Sequence, residues 1–125
     1  MAALAEVLAP DVELPSPLSR NLVFKGREDV LVLLGIVYAT LRDVRWDAPV
    51  GEGSQQLAVA EARVAGFRLG DAMVFELDEK GRIARVRPHL RPLPATIAFA
   101  LMLGPQIAPR PGVLMRAFRG GREKR

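Results

Sequence analysis

Val74-Phe75-Glu76-Leu77-Asp78-Glu79-Lys80-Gly81-Arg82-Ile83-Ala84-Arg85-Val86 reads as two strands and the loop that joins them. Apolar and polar residues alternate on both sides, the period of a chain with one buried face. Asp78-Glu79-Lys80-Gly81 suits a hairpin loop, with Gly81 supplying the positive φ. Working outward, strands are expected over about 57–65, 67–78 and 82–91, the first two joined near Gly66. Upstream, Asp43 onward turns extended, with Val44, Trp46 and Ala48 alternating with Arg45 and Asp47, and Gly51–Ser54 is a loop. Before that, an acidic Glu28-Asp29 opening, the run VLVLLGIVYATL and a basic close at Arg42 predict a buried helix over about 27–41, with charges that suit its dipole. A short helix over about 2–8, closed by Pro10, and a strand over 11–14 complete the front, and Pro15-Ser16-Pro17 forces a turn. A helix followed by a meander of strands is α+β, not alternating βαβ units.

The last third differs in character. Pro94 to Leu103 is apolar on every side and is expected to stop at Gly104-Pro105; such a helix must be buried somewhere. A second segment, Gly112 to Phe118, sets Val113, Leu114, Ala117 and Phe118 beside Arg116 and Arg119. The chain therefore divides into an α+β unit over 1–92, an apolar and basic helical extension over 93–119 packing on it, and a flexible basic tail over 120–125.

Bulk properties limit the chemistry. A chain of 125 residues, half of them hydrophobic, builds one domain with one core. It has no cysteine and one histidine, His89, which removes disulfides, thiolate sites and histidine-rich metal sites. Acids do not cluster at cation-ligand spacing. No metal or cofactor is expected. The N-terminus has no basic n-region and no apolar run approaches a membrane span, so a cytoplasmic protein is the expectation. The net charge of +4 hides an asymmetry: residues 1–81 hold 8 Lys/Arg and 13 Asp/Glu, whereas 82–125 hold 10 Lys/Arg and only Glu123. Such a half can meet an anionic membrane surface; nucleic acid is disfavoured because its only aromatics, Phe99 and Phe118, belong to apolar segments.

Leu8–Pro17 (LAPDVELPSP), the Gly26-Arg27-x-x-Val30 helix, the Trp46 strand and Val74–Val86, in this order and spacing, resemble SnoaL-like members of the nuclear transport factor two-like superfamily over about residues 2–91. The resemblance implies a curved antiparallel sheet wrapped into a cone around helices, an apolar pocket for a small hydrophobic molecule on the concave side, and a homodimer. Relatives include isomerases, dehydratases, cyclases, epoxide hydrolases and non-enzymatic binding domains, so fold does not imply function. They usually open with a longer helical segment closing one side of the cone. Here only residues 1–9 stand in its place; either the chain is truncated or the 94–103 segment fills that space.

The known chemistries of these relatives do not carry over. The general base of ketosteroid isomerase, an Asp before a proline, falls on Ser16, whose hydroxyl is far too weak a base; its second acid falls on Met73. Limonene-type epoxide hydrolases show Arg-x-Asp where this chain has Arg63-Val64-Ala65, and an inward Asp where it has Pro88. Asp71 remains. Strand parity sets Asp71, Met73, Phe75 and Leu77 on one face, where burial would raise the carboxyl toward general-base range; the alternative is a strand-end carboxylate bound by solvent, backbone, Arg63 or Arg68. In the next strand Val86, Pro88 and Leu90 look inward and Arg85, Arg87, His89 and Arg91 outward, unless Pro88 introduces a bulge. The candidate ligand-facing residues are thus Asp71 as acid–base group, with Ser16, Tyr38, Trp46, Arg63, Met73, Phe75 and Leu90. Three functions stay open: a pocket protein that binds a small hydrophobic molecule or transforms it by an isomerase-, lyase- or cyclase-type reaction, a non-enzymatic membrane-surface or protein-docking module that uses the carboxyl-terminal helices, and, ranked last, nucleic-acid binding.

Overall fold

The computed structural model describes residues 2–18 and 21–123. In chain order it contains α1 (Ala2–Val7), β1 (Leu8–Pro15), β2 (Val23–Lys25), α2 (Arg27–Thr40), β3 (Arg42–Trp46), β4 (Gln55–Val64), β5 (Phe67–Leu77), β6 (Ile83–Arg91), α3 (Leu93–Ile107) and α4 (Pro111–Glu123). The strands form one curved, unclosed sheet in the order β2-β1-β6-β5-β4-β3. The meander from β3 to β6 is antiparallel, as its short turns require. β1 departs from the expected all-antiparallel sheet: it lies parallel to β6, and the edge strand β2, not foreseen from the sequence, folds back antiparallel on it.

The hairpin that decides the fold closes as expected. The Asp78 carboxylate accepts the Lys80 and Arg82 amides at 2.9 Å each, Gly81 N–H donates to the Asp78 carbonyl at 3.0 Å, and Gly81 has φ 77. The β5–β6 ladder shifts register once, between Glu76 and Leu77 beside the loop, and from Glu76–Arg85 onward runs evenly past Pro88, which pairs with Met73, so the parity of β6 holds through His89 to Arg91.

On the concave side β4 presents Ala58, Ala60, Ala62 and Val64, all buried, while Leu57, Val59, Glu61 and Arg63 are exposed. This row of small residues leaves depth between sheet and helices. α2 lies there through Val30, Leu33 and Leu34, packed with Leu8, Val12, Leu14, Phe24, Met73 and Val86. Its start is tied down: Gly26 N–H donates to the Val12 carbonyl at 2.8 Å, and the Arg27 guanidinium donates twice to the Leu8 carbonyl at 2.8 and 3.2 Å. Gly26 holds φ 89, a conformation that favours glycine.

The carboxyl-terminal third corrects two expectations. α3 does not stop at Gly104-Pro105 but continues to Ile107 with Pro105 inside it. Pro105 has no N–H to donate to the Leu101 carbonyl, in a turn where Leu101 is itself exposed, and Gln106 Nε2 donates to the Met102 carbonyl at 2.9 Å. Nor is α3 buried all round. Ala95 and Phe99 pack on Val64 and Leu69, but Leu93, Ile97 and Leu101, four residues apart, form an exposed apolar stripe. No helix among the described residues is long and apolar enough to cross a membrane.

The expected tail is helix as far as Glu123; Lys124 and Arg125 lie outside the described residues. α4 lies against β2, covering an edge strand that would otherwise offer unpaired backbone groups. Two interactions hold it. Arg116 makes a bidentate pair with the buried Asp29 at the start of α2, at 2.7 and 2.9 Å. Gly120 and Gly121 are buried with their Cα atoms against the Val23 and Asn21 carbonyls, where a Cβ would strike backbone. Gly104, in the exposed turn of α3, meets nothing within 4 Å.

The same substitution is therefore expected to act with opposite signs in the two helices. Gly121→Ala destabilises by about 1–3 kcal/mol through forced overpacking, while Gly104→Ala is neutral or stabilises by up to about 1 kcal/mol through helix propensity. Urea denaturation of both variants checks this; equal effects would contradict the close docking of α4.

Candidate functional site

Between the concave sheet face and the helices lies an apolar cavity of about 160 Å³, walled by Leu14 and Phe24 from the front of the sheet, Leu34 and Val37 of α2, Met73 of β5, and Phe99 and Leu103 of α3. Asp71, Pro88 and Leu90 complete its sheet wall and Ser16 its rim. A second apolar hollow of about 280 Å³ opens on the other side of Met73 and Leu34, bounded by Leu8, Tyr38, Trp46, Phe75, Ile83 and Val86. A gap of about 20 Å³, touched by Tyr38, Trp46, Asp71 and Met73, lies between them. Met73 and Leu34 face all three spaces, so the Met73 side chain is the partition of the concave side.

Asp71 is the one carboxylate on the walls of the 160 Å³ cavity. The period of β5 aims it inward with Leu69 and Met73, opposite Leu90. Its oxygen accepts the His89 backbone N–H at 3.3 Å. Burial disfavours the charged form and pushes its pKa up to about 6, against the opposing pull of that amide and of the His89 ring. Tyr38 is raised by its own burial first and by the negative charge of Asp71 second. The two groups thus sense each other across the partition.

The residues singled out from the sequence separate into groups. Asp71, Met73, Leu90 and Ser16 meet at the 160 Å³ cavity; Tyr38, Trp46 and Phe75 meet at the neighbouring hollow. The Ser16 hydroxyl oxygen accepts the Leu18 amide at 3.1 Å, a local turn bond. Arg63 does not join them. It is exposed on β4 with Glu61, on the face opposite Ala60 and Ala62, and the partnership of Asp71 with Arg63 or Arg68 considered from the sequence is not made. His89 is exposed, its ring Nδ1 3.2 Å from the Ala72 carbonyl, and only its backbone reaches Asp71. The sequence reading missed Phe99, Leu103, Ile107 and Leu114, which close the cavity from α3 and α4. The signal is the all-round apolar character of 94–103, which predicts burial against the domain but does not name what the helix covers. No group of His, Asp and Glu suited to a metal ion occurs among the described residues.

An Asp71→Asn variant keeps the acceptor for the His89 amide and removes the part-buried charge. The folded carboxyl has a higher pKa than the unfolded one, so its contribution to stability is fullest while it is protonated and is lost as pH rises from about 4 through about 6. The variant is therefore expected to be more stable than the parent by about 1–3 kcal/mol at pH 7.5, with the gain vanishing near pH 4. Thermal unfolding across that range reads it; a gain independent of pH would contradict the burial of the charge.

Comparisons with known proteins agree on the fold. No family model matches the chain, and no curated protein matches it by sequence. Among solved structures, an uncharacterized bacterial protein with a cystatin-like fold from Silicibacter pomeroyi superposes with a TM-score of 0.85 at 21% identity, covering 93% of this chain and 83% of that one. A steroid delta-isomerase from Pseudomonas aeruginosa gives 0.79 at 22% identity, covering 89% and 82%. A SnoaL-like polyketide cyclase from Jannaschia gives 0.63 at 16% identity, covering 79% and 77%. With helices packed in the hollow of a curved six-stranded sheet, and with these neighbours, the chain has the cystatin-like fold of the SnoaL-like, nuclear transport factor two-like proteins.

Proposed function

We propose that the concave side of the sheet binds a small, mainly hydrophobic molecule and that Asp71 exchanges a proton with it, in an isomerase-, lyase- or cyclase-type reaction. One observation carries this reading: a carboxyl with a pKa near 6 forms part of an otherwise apolar cavity wall. A base is most effective when its pKa lies near the working pH, because it is then largely ionised yet still basic. An ordinary surface carboxylate is too acidic for that task. The cavity is about the size that admits a single aromatic ring, and movement of the flexible Met73 side chain would join it to the adjoining hollow. Tyr38, beyond the partition and within reach of the Asp71 charge, would hydrogen-bond an oxygen of a ligand that spans both spaces. The neighbours described as isomerase and cyclase fit such proton-transfer chemistry. Serine and methionine stand where the ketosteroid isomerase acids would be, so Asp71 acts from its own place on β5, not as a copy of that machinery.

Calorimetric titration with 2-naphthol, a neutral bicyclic probe with one hydroxyl, tests the binding. The parent is expected to bind one equivalent, and Met73→Trp, which fills the partition, to weaken binding at least tenfold while circular dichroism remains that of the parent. Unchanged affinity in folded Met73→Trp would remove the concave side as the binding place.

A further inference from the structure

The outer face of the same sheet carries a second concavity, independent of the apolar cavity. It measures about 460 Å³ and lies at the end of the sheet where β3 to β6 run side by side. Its charged lining is four arginines, Arg45, Arg63, Arg68 and Arg91, with two acids, Asp43 and Glu61. Strand register explains the gathering. Arg45, Glu61, Gly70 and Arg91 are neighbours across four strands, and Arg42, Arg63 and Arg68 are neighbours across three in the adjacent row. Adjacent strands lie about 4.8 Å apart, so the guanidinium groups of Arg63 and Arg68 can meet over a single small anion.

Three features set this place apart from a solvated basic surface. Like charges directly opposite one another weaken a sheet, and Arg42, Arg63 and Arg68 stand opposite in succession. Among the described residues, no hydrogen bond or ion pair engages the side chains of Arg45, Arg63, Arg68 or Arg91, and neither Asp43 nor Glu61 lies within 4 Å of a guanidinium nitrogen. Elsewhere on this face arginines do have acids: Arg85 and Arg87 lie 3.7 and 3.8 Å from Glu76. Finally, Gly70 provides the floor. Its backbone is not in the left-handed region, so glycine is not required there by the turn of the chain. A Cβ at that position would come within 3.4 Å of the Arg91 side chain. The missing side chain leaves the hollow open between Glu61 and Arg91. At the rim, Asp43 holds φ 52 where the β3–β4 register shifts.

We infer that this concavity binds a phosphate-type polyanion, held by the paired guanidinium groups of Arg63 and Arg68 with Arg45 and Arg91 beside them. The donors are all arginine, whose planar fork of N–H groups matches the oxygens of a phosphate in a way that the lysine ammonium does not. Four cations against two acids leave the site positive, and a dianion relieves the repulsion between the opposed arginines. The same chemistry is offered by a free phosphate ester and by the headgroup of an anionic lipid.

Calorimetric titration of the full chain with inorganic pyrophosphate at low ionic strength tests the inference. One saturable site per chain is expected. The doubly substituted Arg63→Gln/Arg68→Gln protein is expected to bind at least tenfold more weakly. Arg110→Gln/Arg122→Gln, which removes the same charge from exposed positions elsewhere, is expected to change binding less than twofold. Equal weakening by the two double variants, or uptake that never saturates, would overturn the site. Vesicles of phosphatidylcholine with phosphatidic acid separate the sources. Vesicle binding that pyrophosphate competes away identifies a lipid headgroup, and pyrophosphate binding without vesicle binding identifies a free phosphate ester; both require the Arg63–Arg68 pair.

Discussion

Partial withdrawal of the Asp71 carboxylate from water is the constraint around which the concave side is arranged. In an apolar wall a charged carboxyl loses hydration that neighbours must replace. Here the replacement is small: one backbone amide and the weaker pull of the ring, both from His89, with no ion pair to Asp71 among the described residues. The structure does not pair the charge; it makes the charge dispensable by raising the pKa. That choice costs stability near neutral pH and leaves a group able to take up and release a proton where most carboxyls cannot. Natural proteins tend to keep such costly arrangements at functional places.

The remaining architecture supplies the apolar surroundings. The row of alanines on β4 keeps the sheet face shallow, and α2, α3 and α4 cover it from one side to the other. α4 matters more than its exposed arginines suggest. Asp29 and Arg116 fix it to the start of α2, and Gly120-Gly121 allow it to lie against the backbone of β2. With α4 seated, Leu114 lines the cavity together with the end of α3. The helix that seals the edge of the sheet is therefore also part of the container. Charge is sorted by face: the inner wall holds Asp71, and the outer face holds the arginine rows.

Much of this was legible in the sequence because it follows from short-range rules. The alternation in β5 and β6 gave the inward set of Asp71, Met73, Phe75, Val86 and Leu90, and the Asp78–Gly81 loop joined the two strands, although the register shift between Glu76 and Leu77 was not foreseen. Three things were not legible, each for a physical reason. Gly120-Gly121 read as a flexible tail because glycine in sequence signals freedom, whereas here it permits contact with a distant strand. The 94–103 helix read as buried because its composition is uniform; which half is covered depends on where α2 and the sheet lie. The arginine concavity was hidden because the excess of positive charge falls in 82–125, while Arg45, Arg63 and Arg68 belong to the acidic two-thirds and meet Arg91 only through strand register.

The ionisation of Asp71 itself tests this account most directly. Carbon-detected NMR of the side-chain carboxyl, followed from pH 3 to pH 9 in the parent protein, gives its midpoint without reference to any ligand. A midpoint near 6 is the expected result, and it should move when 2-naphthol is added. A midpoint near 4, unmoved by the probe, would mean that the carboxyl stays hydrated and would contradict its place in the cavity wall.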